Sequence, residues 1–182
     1  MTEEELLVDC LVRLEGSGID YMLVGSMAGN YWGVPRSTHD IDFVVEYESE
    51  QVSRIVDAFK DSFFIQEISV ESGLRPPYQF NALDNRSALK VDFFRVAGDE
   101  YEFERFRRKR RVTLFDQPAW IAAPEDVLLH KLRWHLMSPT DRQLTDARGI
   151  LLVSGEELDR EYMEHWAQQI GVSDLLDDVL GA

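Results

Sequence analysis

The chain has 182 residues, 45% of them hydrophobic, with 34 acidic against 19 basic side chains and a net charge of −15. Such a composition excludes global disorder and points to one ordinary domain, and the acidic balance excludes general affinity for duplex nucleic acid, which depends on neutralising phosphates. Cys10 is the only cysteine, so an intrachain disulfide framework and a cysteine-based zinc cluster are excluded.

Residues 3–15 place Leu6, Val8, Leu11, Val12 and Leu14 at mainly helical spacing, and Gly16-Ser17-Gly18 stops that helix. This start is acidic and amphipathic rather than leader-like, and no apolar run approaches the roughly 18 residues that span a bilayer, so a cytoplasmic protein without membrane contact is expected. Tyr21–Val24 reads as a buried strand, Ser26 to Trp32 as a short helix that Pro35 stops, and Asp40–Val45 as a second strand. Glu48 to Lys60 reads as a helix. Phe63–Val70, Gln79–Leu83 and Leu89–Val96 read as strands, and Arg110–Phe115 and Trp120–Ala122 extend the β region. Pro124-Glu125-Asp126 opens a helix running to Met137, with proline near its first position and acids in the first turn. Two or three further helices follow from Thr140. The predicted fold class is α/β (α+β): a mixed sheet flanked by helices over residues 1–123, then an α-helical region over 124–182 packed on it as a single compact unit.

The functional signal lies between Tyr21 and Glu46. An apolar strand ends in Gly25-Ser26 at a helix N-terminus, where backbone N–H groups and a hydroxyl suit phosphate. Asp40 and Asp42 then fall one residue apart, and alternate strand positions share a face. Two carboxylates side by side repel unless a cation lies between them, which points to a hard metal such as Mg²⁺. Among 17 aspartates an Asp-x-Asp pair is expected by chance, so the pair counts only in this context. Asp92, between apolar residues of a later strand, adds a third acid. The alternative is an edge-strand carboxylate facing water. Three converging carboxylates would hold two Mg²⁺ ions, one at the attacking hydroxyl and one at the triphosphate of an NTP.

In this order, Gly25-Ser26, Asp40-Ile41-Asp42 and Asp92 resemble the signature of nucleotidyltransferases with the DNA-polymerase-β-like fold. Within that group Arg36-Ser37-Thr38-His39-Asp40-Ile41-Asp42, the helix opened by Pro124-Glu125-Asp126, Lys131 and Asp146 look similar to the AbiEii-type branch, which includes toxins of toxin–antitoxin pairs. The resemblance covers roughly residues 20–150. It implies transfer of NMP from an NTP to a hydroxyl, with Asp40, Asp42 and Asp92 as metal ligands and Lys131 assisting catalysis. Gly25, Ser26, Arg36, Thr38 and Asp146 would contact the nucleotide. For Lys131 the alternative is a solvated helix lysine, for Asp146 a surface ion pair with Arg142 or Arg148, and for Arg36 and Thr38 local capping and pairing.

The run Arg105-Phe106-Arg107-Arg108-Lys109-Arg110-Arg111 concentrates six of the 19 basic residues in seven positions. It reads either as an electrostatic funnel for RNA or a tRNA end, or as a solvated hairpin paired with Glu100, Glu102 and Glu104. The four histidines show no metal-ligand spacing, and Trp32, Trp134 and Trp166 read as core. The expectation is an Mg²⁺-dependent nucleotidyltransferase acting on RNA, tRNA or protein, with a possible antitoxin partner. The alternatives are a catalytically silent binding module of the same fold and an antibiotic-type enzyme modifying a small molecule.

Overall fold

The computed structural model describes residues 1–181. The chain opens with α1 (Glu3–Ser17), whose N-terminus is closed by a capping box: Thr2 accepts from the Glu5 amide, and the Glu5 carboxylate accepts from Thr2 N–H. Gly18 ends it in the left-handed conformation, φ 66°. There follow β1 (Asp20–Val24), α2 (Gly25–Trp32), β2 (Ile41–Glu46), α3 (Val52–Phe59), β3 (Phe63–Phe64), α4 (Glu67–Ser72), β4 (Gln79–Asp84) and β5 (Lys90–Arg95). After them come α5 (Glu100–Arg107), β6 (Arg110–Leu114), β7 (Gln117–Ile121), α6 (Pro124–Met137), α7 (Asp141–Ser154), α8 (Arg160–Ile170) and α9 (Ser173–Leu180).

The strands form one mixed sheet in the order β3-β4-β5-β2-β1-β7-β6. β2 pairs antiparallel with β1 and parallel with β5, and β1 pairs parallel with β7. Phe43, Phe80 and Phe93 stack in a row across the sheet, with Phe59 of α3 meeting Phe93 edge-on. The architecture is the mixed α/β one that the hydrophobic pattern predicts.

Three local expectations are corrected. The segment 63–70 is a strand only at its first two residues. From Glu67 it is α4, which buries Val70 and leaves Ile68 70% exposed, so the apolar run carried no period-2 face. The basic run 105–111, read as a funnel or a solvated hairpin, is split: Arg110 and Arg111 enter the β6–β7 hairpin, whereas its first three residues end the helix α5. Asp99 caps it through the Glu102 amide, and Glu102–Arg105 and Glu104–Arg107 are i,i+3 pairs. β7 begins at Gln117, earlier than Trp120, because Phe115 and Asp116 take positive φ (47° and 60°) and make a two-residue hairpin without the usual Asn-Gly or Asp-Gly signal.

The helical region is tied to the α/β part through close backbone approach. A Cβ on Gly33 would lie 2.9 Å from the Ile150 amide nitrogen and 3.0 Å from the Gly149 carbonyl carbon, so α7 lies directly against the end of α2. Ser154 donates to the Trp32 carbonyl at 2.6 Å, and the Trp32 indole donates to the Ala122 carbonyl at 2.8 Å. Because backbone cannot yield cheaply, Gly33→Ala is expected to cost about 1–3 kcal/mol, seen as a lower denaturant midpoint with an unchanged slope.

Candidate active site

β1 ends where β2 and β5 begin, so one edge of the sheet gathers all three strand ends. The register sets Val24 opposite Asp42, and Asp42 opposite Asp92 on the parallel neighbour. Gly25 follows Val24 with φ 66°, and a Cβ there would lie within bond-like distance of the Asp42 carboxylate oxygen, at 2.2 Å. Only glycine meets both the left-handed backbone and the approach of that carboxylate. Asp40 precedes the first residue of β2 and is exposed, which corrects the expectation that it lies within the strand.

Val24, Gly25, Asp40 and Asp42 border a cavity of about 370 Å³ roofed by α6, with Val44 and Phe94 one pleat further along the sheet. Asp42 is pushed up to about 6 by burial first, then by the charges of Asp92 and Asp40. Asp92 is held by Lys90, two residues back on the same strand face, with Nζ 2.7 Å from Oδ2. Its other oxygen, Oδ1, is buried without a hydrogen-bond partner. Among the described residues no three carboxylate, imidazole or thiolate side chains converge as a ready metal cluster. The three acids are neighbours but Asp92 is turned toward an ammonium. Their chemistry nonetheless fits a hard cation: oxygen donors only, one orphaned oxygen, and mutual repulsion that an ion would relieve.

The positive side of the cavity is built on one buried carboxylate. Asp146 of α7 accepts from Arg36 Nε and Nη2, both at 2.8 Å, and from Lys131 Nζ at 2.8 Å. Burial works to raise its pKa, but the hydrogen bonds from Arg36 and Lys131 outweigh this and hold it below the ordinary value. Arg36 Nη2 also donates to Ser26 Oγ at 2.9 Å. Asn30 fixes the backbone of Arg36 from both sides, accepting its N–H and donating to its carbonyl. Lys131 is thus buried and paired rather than solvated, and Asp146 joins the site rather than Arg142 or Arg148; Arg148 pairs with Asp178. Thr38 is a local cap, accepting from the Asp40 amide.

Solved structures share this architecture at low identity. The chain matches ANT(2'')-Ia in complex with adenylyl-2''-tobramycin with TM-score 0.65 and 13% identity, over 93% of this chain and 97% of that one. It matches an antigenic nucleotidyltransferase-like protein from Paracoccidioides brasiliensis with TM-score 0.57 and 14% identity, over 99% and 92%. The lincosamide antibiotic adenylyltransferase LnuA, lincomycin-bound, gives 0.55 and 13% over 82% and 96%. The fold is a nucleotidyltransferase fold. No protein-family model matches the sequence, and no curated protein matches it. The likeness reaches the nucleotidyltransferase fold and not the AbiEii-type branch.

Sequence reasoning also left unassigned several residues in and around the cavity. Asn30, against Arg36, and Lys90, against Asp92, carry no motif and act through contacts fixed only by folding. His130 lines the cavity one turn before Trp134. Burial, with Arg105, Arg133 and Lys131 nearby, holds its pKa well below the usual imidazole value, so the ring is neutral. Trp134 is not core: it is 44% exposed at the same wall. The basic run is spent on the chain itself. Arg105 pairs with Glu102, Arg107 with Glu104, Arg108 and Arg110 with Glu125, Lys109 with Asp20, and Arg111 with Glu15.

The raised Asp42 pKa makes a signed prediction. A folded value near 6 against an ordinary 3.8 favours folding fully below about pH 4, and that contribution is lost as pH rises through 6. In chelator at pH 8, Asp42→Asn should therefore unfold a few degrees above wild type, about 2–4 °C for each kcal/mol of relieved repulsion. Calorimetric scans should show the gap closing toward pH 4.

Proposed function

We propose that this chain transfers a nucleoside monophosphate from an NTP to a hydroxyl group. One observation carries the reading: Asp42, in register with Asp92 and packed beneath Gly25, lines the same cavity as Lys131, which Asp146 links to Arg36. Acids and cations thereby meet around a space large enough for a small ligand.

In this reading the start of α2 at Gly25 and Ser26 receives the β- and γ-phosphates, where the helix dipole and backbone amides favour negative charge. Lys131 and Arg36 offset the charge that grows on departing pyrophosphate. Asp146 keeps both cations pointed inward, and the acceptor hydroxyl attacks the α-phosphorus as the bond to the β-phosphate breaks. Asp92, with an oxygen free of hydrogen bonds, is placed to take the hydroxyl proton. Asp40, Asp42 and Asp92 would hold the Mg²⁺ ions, which when bound supply Lewis-acid polarisation of the phosphates and lower the acceptor's pKa. Lys90 has to release Asp92 for that role, so it competes with the divalent ion.

The acceptor favoured is a small molecule. Each cation of Arg105–Arg111 already has a carboxylate partner, which removes the free charge that an RNA or tRNA end would need. ANT(2'')-Ia and LnuA, both folded like this chain, carry an adenylylated and a free antibiotic respectively. A toxin–antitoxin role with an RNA or protein acceptor is the second reading, and it rests on the Arg36–Asp42 stretch.

Asp42→Ala and Asp92→Ala are each expected to lower transfer at least about a hundredfold, a loss typical of removing one essential electrostatic group, while circular dichroism stays unchanged. Incubation with α-labelled NTPs, Mg²⁺ and separate pools of RNA, cell protein and hydroxylated small molecules reads both the rate and the acceptor. Undiminished label transfer by both variants would remove the metal assignment, and label on RNA alone would reverse the choice of acceptor.

A further inference from the structure

One cavity wall carries, beside Lys131, side chains that the transfer described above does not use. Val127, His130, Lys131 and Trp134 recur at i, i+3, i+4 and i+7 on α6, a single helix face, and all four line the cavity. Val127 and Lys131 are buried and His130 is half-buried, whereas Trp134 leaves its indole 44% exposed beside the edge of the His130 ring, with centroids 6.3 Å apart. A flat apolar surface at the rim of the cavity suits a stacked ring. At the start of α7, Gln143 lines the same cavity, and its Oε1 is buried without a hydrogen-bond partner. A buried acceptor is costly to leave unpaired, and a ligand N–H would satisfy it.

We propose that Trp134 and Gln143 form the nucleobase subsite, with the base stacked on the indole and its exocyclic amino group donating to Gln143 Oε1. The inference rests on the reading that Lys131 meets the triphosphate. Trp134 follows Lys131 by three residues, about 4.5 Å along the helix axis, so the two contacts fall within the span of one nucleotide. A glutamine acceptor suits adenine or cytosine, which present an amino group, better than uracil, which presents a carbonyl at that edge.

Binding measured without any acceptor separates the possibilities. The probes are the α,β-methylene analogues of ATP and UTP, with inorganic tripolyphosphate as a base-free control, each with Mg²⁺, followed by calorimetry and tryptophan fluorescence. Trp134→Ala is expected to bind the ATP analogue roughly ten- to a hundredfold more weakly, with Trp134→Phe near wild type and tripolyphosphate affinity unchanged. Gln143→Leu is expected to shrink the preference for the ATP over the UTP analogue several-fold. The inference is overturned if Trp134→Ala binds the ATP analogue like wild type, including the case where only transfer is lost and the indole serves the acceptor. It is equally overturned if tripolyphosphate binding falls in parallel, which marks structural damage. If wild type binds tripolyphosphate without distinguishing bases, this subsite alone fails. If wild type binds neither analogue nor tripolyphosphate, the triphosphate reading fails and takes the subsite with it.

Discussion

The cavity depends on one constraint, the register that brings Val24, Asp42 and Asp92 abreast on β1, β2 and β5. A shift of one residue on β2 or β5 would turn an aspartate into the core and an isoleucine, valine or phenylalanine into the cavity. The register is held by the buried residues between the acids: Ile41, Phe43, Val91 and Phe93 are all essentially inaccessible. Hydrophobic burial on one face of the sheet thereby positions carboxylates on the other. Gly25 completes the constraint, because any side chain there would displace Asp42.

Placing like charges together has a cost, and the structure shows where it falls. Asp42 carries it as a raised pKa, and Lys90 eases it at Asp92 by ion pairing. Nearby the opposite problem, a buried lysine beside a half-buried arginine, is resolved by Asp146, which accepts from both Arg36 and Lys131. A buried charge without a partner would be far more costly. One cluster stays net acidic, three aspartates against Lys90, and the other net basic, Arg36 and Lys131 against Asp146.

Much of the fold was legible because local signals agreed with tertiary ones. The Gly18 stop of α1 and the proline-led start of α6 are written in adjacent residues, and each element formed where its signal lay. The misreadings came where a stronger-looking signal masked a weaker, correct one. The basic run 105–111 begins inside α5, where i,i+3 spacing supports a helix and pairs Arg105 with Glu102 and Arg107 with Glu104. Of the expected strand Phe63–Val70, the part from Glu67 is α4, which packs on α3 and whose Val70 carbonyl accepts from the Tyr47 hydroxyl.

For the site, the sequence by itself determined which chemistry is available: two aspartates one residue apart at the head of a strand, a third on a later strand, and Gly-Ser opening a helix. Such types and spacings follow from period-2 alternation and glycine's freedom, both local properties. What only the tertiary structure decided is who faces whom. Asp146 and Arg36 are separated by 110 residues, yet form a two-pronged ion pair. Lys90 has no motif at all, and Trp134 reads as core until the fold leaves it at a cavity wall. Partners at long sequence separation are chosen by packing, which no local pattern encodes; the sequence therefore specified the acids, and the fold specified their counter-charges.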